Sequence, residues 1–210
     1  MATVLSEAVA KRACAWLWLV GTILLAGCVS LVSVETRRDA INEINRAFKE
    51  QYEAILARNG TYFVNAGAGA TFDATLAALV SAGMEIRQQS RGLGFINADA
   101  AAPLPLNRSE WDRAGAADLP RARELLSRHV GLLAQGFTFE PEGLDTVITA
   151  TIIEARGGSE VSLTMRMREV AEPKSGLPRR EYPPPSALQA GLDKIWGALE
   201  RELKAKAPSS

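Results

Sequence analysis

Few side chains in this 210-residue chain could do chemistry. There are two cysteines, Cys14 and Cys28, and one histidine, His129. Cys14 lies inside an apolar run and would leave with it if that run is removed, so only Cys28 needs a chemical explanation. From Val29 to Ser210 there is no cysteine, which excludes a disulfide framework and a thiolate metal site from the body of the protein. His129 falls on the apolar side of an expected helix with no motif around it, so a structural histidine is expected rather than a general base. The sequence contains no Gly-x-Ser-x-Gly elbow, His-Glu-x-x-His pair or calcium loop. Glu140 and Glu142 share a turn, where solvation accounts for them. Arg166 and Arg168, with Arg179 and Arg180, are of a kind to meet an acidic surface or lipid headgroup; a solvated sheet face is the expectation. Gly67-Ala68-Gly69 lacks the third glycine of a dinucleotide fingerprint and the Lys-Ser/Thr of a phosphate loop, so a strand-to-helix connection is expected. These residues predict no catalytic site, no metal and no cofactor: a non-enzymatic protein.

Charge adds to this. Lys+Arg and Asp+Glu both total 24. Lys11, Arg12 and Glu7 precede Cys28, leaving 22 basic and 23 acidic residues from Cys28 onward. Such a balance supplies no field for a polyanion, and nucleic-acid binding is not expected.

The surroundings of Cys28 give its thiol a role. Lys11 and Arg12 precede an uncharged stretch running from Ala13 through Val34. A positive flank followed by a segment that partitions into the bilayer is the arrangement of an export signal. The stretch contains Leu25-Ala26-Gly27-Cys28, which resembles the lipobox of bacterial lipoprotein precursors. That resemblance implies cleavage between Gly27 and Cys28, diacylglycerol on the Cys28 sulfur, and acylation of the new N-terminus by a chain such as palmitate. At about 0.8 kcal/mol per buried methylene, two or more chains anchor a protein stably where one does not. In this family an aspartate after the cysteine retains the protein at the inner membrane; Val29 implies the outer membrane, with the domain facing the periplasm. The alternative is an uncleaved anchor helix, because roughly 20 apolar residues suffice to span a bilayer. The chain then divides into a signal (1–27), a lipidated tether with an amphipathic helix (28–60) and a single α+β domain (61–210).

Periodicity supplies the elements. Ile41, Ile44, Phe48 and Ile55, with Tyr52 and Leu56, predict an amphipathic helix over Glu35–Arg58, ended by Asn59-Gly60. It is of a kind to bind a partner or a membrane surface; packing on its own domain is the expectation. Thr61–Val64 reads as a strand, and Thr71 as the N-cap of a helix over Phe72–Ala82 with Phe72, Leu76, Leu79 and Val80 buried, stopped by Gly83. Strands over Met84–Gln89 and Phe95–Ala98 follow. Asp118 is expected to cap a helix over Leu119–Ala134, with Pro120 in its first turn and Leu125, Leu126, His129, Leu132 and Leu133 on its apolar side. Phe137–Phe139 reads as a short strand. Thr146–Arg156 and Ser159–Val170 predict a hairpin turned by Gly157-Gly158. After a proline-rich loop containing Tyr182-Pro183-Pro184-Pro185, Ser186 and Gln189 form a capping box opening a long helix with Leu188, Leu192, Ile195, Trp196, Leu199 and Leu203 on one face.

The predicted class is α+β: an antiparallel sheet packed by a long C-terminal helix, helix-grip-like, with an N-terminal amphipathic helix. Thr71–Ala98, with Leu79-Val80-Ser81-Ala82-Gly83 closing a helix and Gly94-Phe95-Ile96-Asn97-Ala98 forming a strand, resembles the BamC-type accessory lipoproteins of the bacterial outer-membrane β-barrel assembly machine. That resemblance implies a non-enzymatic binding or assembly-accessory module with an envelope protein as partner. The alternative is a periplasmic small-ligand or lipid-binding protein, with the long helix gripping a curved sheet around a pocket.

Overall fold

Helix α1 (Val34–Asn59) forms where apolar side chains recur one helical turn apart. It opens the computed structural model, which describes residues 32–170, 177–181 and 183–206. Ser33 caps α1 by accepting from the Thr36 N–H, and the Gly60 N–H closes it on the Leu56 carbonyl. Ala40, Ile44, Phe48, Tyr52 and Ile55 are its buried line. The stripe is therefore turned into the protein rather than displayed.

The remaining elements are β1 (Thr61–Val64), α2 (Ala68–Ser81), β2 (Glu85–Ser90), β3 (Phe95–Ala101), α3 (Arg108–Val130), a 3₁₀ turn (Gly131–Gly136), β4 (Leu144–Ala155), β5 (Gly158–Glu169) and α4 (Pro185–Lys206). The sheet runs β1-β5-β4-β3-β2 with every neighbouring pair antiparallel. Alternation decides its two faces. Thr146, Ile148, Ala150 and Ile152 of β4 and Val161, Leu163, Met165 and Met167 of β5 are buried beneath the helices. The other face carries Asn97 hydrogen bonded to Thr149, Thr61 to Ser162, and Arg87 to Asp99. Helix α4 covers the apolar face, with Leu188, Leu192, Ile195 and Leu199 essentially excluded from solvent. Its Trp196 stacks on Tyr62 at 5.5 Å and donates from Nε1 to the Asn59 carbonyl at the end of α1. The architecture is α+β, a five-stranded antiparallel sheet packed by the C-terminal helix, as the periodicity predicts.

Several local expectations are corrected. Thr71 is not an N-cap: α2 starts earlier, with Gly67 as its cap, and the Thr71 hydroxyl donates to the Ala66 carbonyl while accepting from Ser159. Val80 faces solvent, and Ala74 and Ala78 take the buried positions instead. Asp118 lies inside α3, which begins at Arg108 under an Asn107–Glu110 capping box. Freed from capping its own helix, Asp118 accepts from the backbone N–H and hydroxyl of Ser186 and so caps α4. Ser186 and Gln189 form no box, because the Gln189 amide reaches Asp193. Leu132 and Leu133 are exposed, the helix having ended at Val130. Phe137–Phe139 is extended but pairs with no strand, its carbonyls being taken by side chains: Trp111 Nε1 donates to Phe139 at 2.9 Å and Arg123 to Phe137 at 3.2 Å. The hairpin turns on Arg156-Gly157, with Gly157 at φ 83°, and Gly158 already pairs with Ala155. Gly158 is needed for a different reason: a Cβ there would collide with the Val64 carbonyl.

Candidate functional site

The positions of α1 and α3 relative to α4 create the site. Lys194 of α4 meets Glu110 of α3 at 2.6 Å, and Ser186 meets Asp118, so these two helices are antiparallel. Beyond Asp118, α3 continues to Val130, about 18 Å further at 1.5 Å per residue, past the start of α4. The first half of α1 overhangs alongside it. Ala40, Ile44 and Phe48 of α1 pack there against Ala122, Leu125, Leu126 and Ala134 as a second cluster, separate from the main core.

With no α4 beneath the overhang, the two helices close on loops instead, and they leave space. A cavity of about 320 Å³ is lined by Ala40, Ile41 and Ile44 of α1, by Trp111, Leu126 and Val130 of α3, and by Phe137 and Phe139. Leu144 forms part of its floor, and Leu177, Pro183 and Pro184 come from the loop before α4. The lining is almost wholly hydrocarbon. Polar groups reach it from Arg37, Asn45, Thr138, Glu140 and Arg180. The aromatic wall is held in place: Phe139 stacks on Phe48 at 6.0 Å and meets Phe137 edge-on at 5.0 Å. Arg180 pins the loop, donating from its backbone N–H and Nε to Glu169 at 3.1 Å and from its terminal nitrogens to the Glu140 and Glu142 carbonyls. Asn45 holds the same loop through the Arg179 carbonyl at 3.0 Å.

Ion pairs brace the overhang from outside. Glu43 of α1 accepts from the His129 ring and from Arg128 at 3.1 Å. The His129 hydrogen bond, against the opposing effect of burial, holds the Glu43 carboxyl below its ordinary range. Burial pushes Asp118 the other way, above its ordinary value, with the Ser186 donors opposing. Lys194 and the Asn107 N–H lower Glu110.

Such a cavity can shelter hydrocarbon and exclude water; no nucleophile and base are aimed into it together. Among the described residues no group of three or more His, Cys, Asp or Glu is placed to hold a metal ion. His129 serves the α1–α3 brace and does not line the cavity. Glu140 and Glu142 are engaged by Arg108 at 3.2 and 2.6 Å. Arg166 and Arg168 lie on the open sheet face, as expected, while Arg180 faces the cavity, so the four arginines form no single cluster. Gly67 and Gly69 form the start of α2, as a connection. Gly27, Cys28 and Tyr182 lie outside the described residues, as does the span from Ala13 that an anchor helix would occupy. Among the described residues no helix is long and apolar enough to cross a membrane. Sequence reasoning missed the cavity; the surplus of apolar residues on α1, Ile41 beside Ile44, was the signal that could have found it. It also placed the pocket between helix and sheet, where the sheet face is instead filled by α4. No protein-family model matches this chain, and no curated protein matches it.

Proposed function

We propose that this chain is a membrane-tethered, non-enzymatic binding module of the bacterial envelope, anchored through lipid on Cys28 and facing the periplasm from the outer membrane. In this reading its ligand is a small apolar or acyl-chain molecule that enters the cavity between α1, α3 and the loop before α4. The observation that carries the ligand is the cavity itself: about 320 Å³ of hydrocarbon-lined space with polar groups at its margin, within the size range of small-molecule sites. The tether rests on the Leu25-Ala26-Gly27-Cys28 resemblance.

Native mass spectrometry of the full chain after gentle extraction tests the ligand. The expected spectrum contains a co-extracted apolar species, lost when Ile41→Trp fills the half-buried wall of α1. Bare protein in every preparation, with no uptake of an added fatty-acid probe, contradicts it.

A second reading, an envelope protein as partner, has its own support. Among the described residues β1 pairs with β5 only as far as Ser162, with one further bond from the Leu163 N–H to Gly60. The rest of that edge, beside Met165 and Met167, borders a groove of about 600 Å³ shared with Lys49, Tyr52 and Glu53 of α1. An unpaired edge is the place where an extended segment adds as a strand. Cross-linking in intact membranes from a reporter at Arg166 would capture that protein; labelling confined to the chain itself would count against it.

A further inference from the structure

We infer that the 3₁₀ turn Gly131–Gly136 is a membrane-contacting tip, with Leu132 and Leu133 seated in the lipid surface beside the tether. The inference rests on the membrane-tethered reading above and goes beyond it by assigning a contact to the folded domain.

Leu132 is 89% exposed and Leu133 59%, adjacent in sequence and unshielded. Scattered exposed apolar residues are ordinary, so place decides. The turn, Gly131-Leu132-Leu133-Ala134-Gln135-Gly136, carries no charge. It is fastened at both sides: Val130 and Ala134 pack into the cluster of Ala40, Ile44 and Phe48, so the leucines project from a supported base. Gly131 ends α3 with a positive φ of 58°, and the two leucines that follow it are left in solvent.

The direction follows from the helix arrangement. Glu43 pairs with Arg128 and His129, and Arg37 shares the cavity wall with Val130. The C-terminal end of α3 therefore points the way α1 begins. From Cys28 to Val34 the chain spans at most about 20 Å when fully extended. A membrane holding Cys28 thus lies within reach of the tip, and Val130 joins that tip to the cavity wall. Arg37 and Arg38 nearby are balanced in number by Glu35 and Asp39, so the leucines, and not net charge, carry the contact. The partner is a lipid surface.

The test uses the processed, lipidated chain purified from bacterial membranes and reconstituted into phospholipid vesicles, its Cys28 sulfur blocked by the lipid, with a fluorescent thiol probe on Leu132→Cys. The comparison position is Leu93→Cys, 78% exposed in the β2–β3 turn. That turn abuts Ile152, toward the opposite end of β4 from the Leu144 that floors the cavity. Nitroxide on the lipid chains is expected to remove most of the probe emission at position 132 and none at 93. If the chain floats with the vesicles and both positions emit equally, the tip contact is overturned and the tether stands. Failure to float at all overturns both. A probe at 132 that is shielded from water but untouched by the nitroxide lipids identifies a protein neighbour and also overturns the lipid contact.

Discussion

Two apolar clusters in one chain are built to different standards. In the main core, β4 and β5 alternate without a break and α4 lays a broad stripe across them, so that Ile148, Leu163, Met165, Leu188 and Leu192 are solvent-free. In the overhang, α1 and α3 meet over a few small and branched residues, and ion pairs and a pinned loop complete what side chains leave open. The first arrangement fixes a shape. The second leaves a cavity between α1 and α3, because α4 does not extend beneath them to fill it. Binding space is found where an element runs past its packing partner.

The comparison breaks first in the main core. Trp196→Ala removes a stacked indole and its bond to Asn59, and should cost about 3–5 kcal/mol in urea denaturation; a neutral result would detach α4 from the core. Next is Thr146→Val. Among the described residues the buried Thr146 hydroxyl has no hydrogen-bond partner, so removing it should raise the free energy of unfolding by about 1 kcal/mol; a loss of stability would reveal that the hydroxyl is used. Ile41→Ala, in the looser cluster, should cost less than about 1 kcal/mol because the side chain is half-buried and already borders empty space, while weakening uptake of an acyl probe. A full core penalty there would erase the distinction between the clusters.

The smallest effect is a pH dependence. Glu43 has a lowered folded-state pKa, so its contribution is present above the unfolded carboxylate value and is lost as pH falls through the folded one. Asp118, raised by burial, runs oppositely: its contribution is full below the unfolded value and declines as pH rises through the folded one. Acid titration of Glu43→Gln, followed by melting, should show a flatter acid limb than the parent, and an unchanged limb would remove the His129–Glu43 brace from the picture.

Periodicity made the main core legible. The α4 stripe, the β4–β5 alternation and the buried line of α1 need only period and polarity, both local properties. What stayed hidden depends on distant partners. Asp118 looks like the cap of the helix that follows it, yet Ser186 claims it from across the fold. Phe137–Phe139 looks like a strand, but Trp111 and Arg123 occupy carbonyls a neighbour strand would need. Leu132 and Leu133 continue a helical pattern that Gly131 interrupts. The cavity was illegible for the same reason, since empty space follows from the relative lengths of α1, α3 and α4 and no single segment encodes it.

Whether a membrane stands beside that cavity is decided most directly by the intact mass and N-terminal residue of the protein purified from bacterial membranes. The expected product begins at Cys28 and carries the added mass of its fatty chains. A chain that still starts at Met1, with no added lipid, would contradict the anchoring on which the leucine contact rests.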